Sequence, residues 1–71
     1  MDPRDAVRTV LEDAGKPLHW TVVQDRALRA GYLDPFEVGD LRAAVLAALR
    51  GLVADGALRR TGTGVYALAE S

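Results

Sequence analysis

The stretch Leu58-Arg59-Arg60-Thr61-Gly62-Thr63-Gly64-Val65-Tyr66-Ala67-Leu68 decides the fold. Two strand-like runs, residues 57–61 and 65–69, flank Gly62-Thr63-Gly64, whose glycines are free to take positive φ. This reads as a hairpin with Leu58, Tyr66 and Leu68 inward and Arg59 and Val65 outward. A two-stranded hairpin is not stable alone. It needs a further strand and an apolar cover, and both must come from the preceding residues.

Upstream, Leu18-His19-Trp20 reads as a short extended segment, with Leu18 and Trp20 on one side and His19 on the other. It supplies the third strand. Before it, a helix is predicted over 3–14. Asp2 suits the N-cap, and Pro3 the first helical position, where its missing N–H is not needed. Asp5 adds charge of the favourable sign at the positive helix end. Val7, Val10, Leu11 and Ala14 form one apolar stripe. Gly15 supplies a left-handed stop and Pro17 forbids continuation.

After the strand, Thr21-Val22-Val23-Gln24 reads as a capping box, opening a helix to about residue 30 with Val23, Ala27 and Ala30 inward. Gly31 ends it. Asp34-Pro35-Phe36-Glu37 repeats the cap-then-proline signature and predicts one helical turn, broken at Gly39. Tyr32 and Phe36 are expected to pin this connection. Asp40 caps the longest helix, about 41–54, closed by Asp55-Gly56. Leu41, Val45, Ala48, Leu49 and Leu52 fall within one arc of that helix. Ala43, Ala47, Arg50 and Gly51 take the opposite arc, with Arg42 and Leu46 at its edge. Trp20 is expected as a core plug between the first two helices and the sheet.

The order is helix, short strand, helix, helix, hairpin. The fold class is mainly α with a small β-hairpin. It is a winged helix-turn-helix of three helices plus a two- or three-stranded antiparallel sheet, filling residues 1–71 as one domain. The hairpin residues resemble the wing of many bacterial winged-helix domains, where a strand turns through glycines and returns as "G-x-Y-x-L". Gly15-Lys16-Pro17-Leu18-His19-Trp20-Thr21, followed by Arg26-Ala27-Leu28-Arg29-Ala30-Gly31-Tyr32-Leu33, resembles the HARE-HTH domain over roughly residues 5–70. That family is a winged helix of restriction endonucleases, chromatin regulators and the delta subunit of bacterial RNA polymerase. The resemblance implies DNA binding in most settings.

Composition narrows the chemistry. The chain has 71 residues and no cysteine, which excludes a disulfide framework and a thiolate zinc site. No apolar stretch approaches the ~20 residues needed to span a bilayer. Met1-Asp2-Pro3-Arg4-Asp5 carries no signal-peptide pattern, and a cytoplasmic location is expected. Many Ala and Arg with a single Lys suggest a GC-rich bacterial source. The one histidine, His19, has no ligand-spaced neighbour, and the one serine is Ser71. The acidic residues Asp2, Asp5, Asp34 and Asp40 stand at helix starts, where capping explains them. No enzyme activity, metal or small-molecule cofactor is expected, and no membrane contact.

Net charge is −1, against bulk attraction to nucleic acid, but its distribution is uneven. Residues 1–40 hold five basic groups against eight acidic ones. Residues 41–71 hold four, Arg42, Arg50, Arg59 and Arg60, against two. The candidate DNA-binding residues are Arg42, Arg50, Arg59, Arg60, Thr61, Thr63, Ala43 and Ala47. The arginines and threonines would meet phosphates or a minor groove; the two alanines would let the third helix settle in a major groove. The expected function is weak, low-specificity binding of double-stranded DNA, associated with transcription or another nucleic-acid process. The alternative is a protein-interaction module, homodimer or docking domain, through Ala43, Ala47, Gly51 and the exposed Leu46. A solvated helix face and an aggregation-resistant charged edge strand are the plainer readings of the same arginines.

Overall fold

A computed structural model describes residues 1–69. The last two positions of the expected 1–71 domain therefore lie outside the described residues. Three helices and three strands follow in the order α1 (Pro3–Ala14), β1 (Leu18–His19), α2 (Trp20–Arg29), α3 (Leu41–Ala54), β2 (Leu58–Gly62) and β3 (Val65–Leu68). The strands form one antiparallel sheet in the order β1-β3-β2. Leu18 pairs with Tyr66, so the short strand before α2 does complete the hairpin.

The helix ends follow local backbone chemistry. Pro3 opens α1 and Gly15, at φ 65°, closes it, its N–H donating to the Leu11 carbonyl. Asp2 is the N-cap residue by backbone, but its carboxylate makes no capping hydrogen bond. Asp40 does cap α3, its Oδ1 accepting from the Ala43 N–H at 3.1 Å.

Helix α2 departs from expectation at its start and in the burial of Ala30. It starts at Trp20, one residue before the expected cap, and its N-cap is His19. The His19 Nδ1 accepts from the Thr21 N–H at 3.3 Å and lies 2.8 Å from the Thr21 hydroxyl. The Thr21–Gln24 box does not form, because β1 places His19, not Thr21, at the turn into the helix. Gln24 is left with its Oε1 buried and unpartnered. At the other end Ala30 is exposed, not inward, because α2 stops at Arg29 and the chain turns away through Gly31 at φ 77°.

Val7, Val10 and Leu11 of α1, Val23 and Ala27 of α2, and Val45, Ala48, Leu49 and Leu52 of α3 meet in one buried cluster. Leu18, Leu58 and Tyr66 close it from the sheet, and Leu33 from the connection after α2. Tyr32 packs against this cluster and donates from its hydroxyl to Asp13 Oδ2 at 3.3 Å, so it pins the connection to α1 as expected. Phe36 does not: it is 97% exposed. The Asp34 Oδ1 accepts from the Phe36 N–H, and the Asp34 carbonyl from the N–H groups of Glu37 and Val38. The turn is held by its own backbone and needs no apolar cover.

The hairpin is tighter than its sequence suggests. Gly62 belongs to β2 and pairs with Val65, which leaves Thr63-Gly64 as a two-residue turn. The register slips between Arg60 and Gly62, with Thr61 as the extra residue of a bulge. Gly64 stands at φ 70°, and a Cβ there would lie 2.8 Å from His19 Nε2 and 3.0 Å from Trp20 Cδ1. The Trp20 N–H donates to the Gly64 carbonyl at 2.8 Å. The turn is thus fastened to the start of α2.

Candidate nucleic-acid interface

Helix α3 and the hairpin supply every residue expected to bind DNA, and all eight are exposed. The structure does not gather them on one patch. Adjacent strand residues point to opposite faces. Arg60 pairs with Tyr66 and, with Arg50 and Val53 of α3, lines a hollow of about 380 Å³ between helix and hairpin. Arg59 pairs with Ala67 and lines a separate hollow of about 560 Å³, beside Leu11, Lys16 and Pro17. The Arg60 Nε donates to the Gly62 carbonyl at 3.2 Å, which folds the guanidinium back along the bulge.

Arg42 lies two turns before Arg50, at the edge of the exposed arc of α3. Its guanidinium lies 5.2 Å from the centroid of the Trp20 ring, within the range of a cation–π contact. Trp20 is half-buried and packs against the core, but it is not the expected plug, since one ring face receives Arg42. The His19 ring also lies beside it, tilted, with ring centroids 5.7 Å apart. Trp20 and His19 also hold the hairpin turn. A chain of contacts therefore runs from Arg42 through Trp20 to Gly64, while Arg50 and Arg60 line one hollow without a direct bond between them. The Trp20 partnership spans 22 positions, and no local signal announces it.

Charge pairing occupies two of the arginines. Among the described residues two ion pairs form: Arg4 with Asp55 at 2.7 Å, and Arg29 with Asp25 at 3.0 Å, one turn apart on α2. Arg42, Arg50, Arg59 and Arg60 have no carboxylate within ion-pair distance among those residues. Thr61 protrudes at the bulge and Thr63 sits in the turn, both solvated.

The small-residue stripe of α3 is less open than its spacing suggests. The end of the Arg4 side chain lies directly over Gly51, held there by Asp55. Ala43 and Ala47 remain exposed, and Leu46 is half-buried against the core. Among the described residues no group of three or more His, Cys, Asp and Glu side chains could hold a metal ion. No described helix is long and apolar enough to cross a membrane. No family model, no curated protein and no solved structure matches this chain.

Proposed function

We propose that the chain is a winged helix-turn-helix domain, as its HARE-HTH-like stretches suggest, and that it binds double-stranded DNA weakly along the junction of α3 and the hairpin. Helix α3 enters the major groove and the β2–β3 hairpin acts as the wing on the adjacent backbone. It does so without catalysis of its own. The observation that carries this reading is the convergence of Arg50 and Arg60, from two different elements, on one open hollow with no carboxylate partner among the described residues. Arg42 adds a further exposed cation from the start of α3, over Trp20 beside the hairpin turn. Arg59 lies outside this set.

Phosphate contacts position such a module and base contacts specify its site. The exposed arc of α3 offers Ala43 and Ala47, which allow close approach but carry no hydrogen-bonding group, so low sequence specificity is expected. With three guanidiniums engaged at about −0.9 each, the slope of log affinity against log salt is expected near −3. The test is a nuclear magnetic resonance titration with a random-sequence duplex at low salt. Amide and guanidinium shifts at Arg42, Arg50 and Arg60 support the reading; their absence at millimolar duplex refutes it.

A further inference from the structure

We propose that Phe36 anchors a head-to-tail contact between copies of this chain, seating in the hollow between α1 and the sheet of a second molecule. Phe36 is the most exposed large apolar residue, at 97%. Its loop is not loose. Asp34 accepts three backbone N–H groups, from Phe36, Glu37 and Val38, and presents the ring on a defined turn. The loop is also acidic: Asp34, Glu37 and Asp40 are its charges, with no basic residue between positions 33 and 41.

The hollow is the complement. Its volume is about 560 Å³, and Leu11, Pro17 and Leu68 give it an apolar lining. Lys16 and Arg59 supply its charge, and neither meets a carboxylate among the described residues. An aromatic ring on an acidic loop thus complements a hollow whose lining includes two cations. No residue of the 34–40 loop lines the hollow, so the contact joins two molecules. The two surfaces differ, which makes the interface heterologous and able to continue beyond a dimer. It also accounts for Arg59, which the DNA reading leaves unused, and it covers a different hollow from that of Arg50 and Arg60. A single ring and two or three charges form a small interface, so the association is weak.

The test is sedimentation equilibrium of the 71-residue chain from about 10 µM to about 1 mM, the weak range of specific association. The average mass is expected to rise past that of a dimer and to fall as salt is added. Phe36→Ala and Arg59→Glu each restore the monomer, with melting curves confirming that both fold. An equimolar mixture of the two variants regains a dimer and nothing larger, because it holds one intact ring-and-hollow pair. A wild-type chain that stays monomeric overturns the proposal, as does association that survives either substitution or a mixture that stays monomeric.

Discussion

Arg59 and Arg60 are consecutive in the chain yet serve opposite faces of the β2–β3 hairpin. Arg60 shares a hollow with Arg50 of α3, while Arg59 shares one with Lys16 after α1. A pair that looks like one basic patch in sequence is two half-patches in space, and the two substitutions are expected to separate.

Arg60→Ala and Arg50→Ala should each weaken duplex binding by about 1 kcal/mol, several-fold in affinity, and lower the salt slope by about one. Arg59→Ala should leave both nearly unchanged. Fluorescence anisotropy across a salt series measures this. Equal losses at Arg59 and Arg60 would return the hairpin to a single undivided patch.

Trp20 is the only tryptophan, so its emission reports on Arg42 alone among the arginines. Arg42→Ala should shift the emission and cost about 0.5–1 kcal/mol of stability, the range of an exposed cation–π contact. Duplex DNA should perturb the same emission in the wild type and not in the variant. An emission unchanged by the substitution would place Arg42 away from the ring.

His19 caps α2 through Nδ1. His19→Ala should destabilise the fold by about 1 kcal/mol, and His19→Asn, which keeps a capping oxygen, should recover most of it. Thr21→Ala should cost less, since the expected Thr21–Gln24 box is not made. Urea unfolding of the three variants ranks them; a larger loss at Thr21 than at His19 would reassign the cap.

Gly51 lies beneath the Arg4 guanidinium. Gly51→Ala gains about 0.5–1 kcal/mol of helix propensity. It displaces the flexible end of Arg4 and loses its exposed pair with Asp55, worth about 0–1 kcal/mol. The net change should be small. In an Arg4→Ala background the same substitution should stabilise by the fuller amount, and thermal melting of the four chains closes the cycle.

How much of this was legible in the sequence depends on how far each contact reaches. The bounds of α1 and α3 follow from Pro3, Gly15, Asp40 and Asp55, because caps and stops act within a turn of the backbone. The hairpin followed from its glycines, and a short third strand near residue 18 from the hairpin's need for a partner; its register, Leu18 opposite Tyr66, came from the structure. The separation of Arg59 from Arg60 is implicit in the two-residue period of a strand. Which hollow each one joins is not, since α3 and α1 supply the other walls.

Local backbone chemistry, then, set where the helices start and stop and where the chain reverses. The tertiary structure alone decided that His19 rather than Thr21 caps α2, that Trp20 receives Arg42, and that Arg4 covers Gly51. The first depends on β1 joining the sheet, and the next two on side chains 22 and 47 positions apart meeting across the packed helices. Partners this distant leave no trace in sequence spacing, because packing and not chain connectivity brings them together.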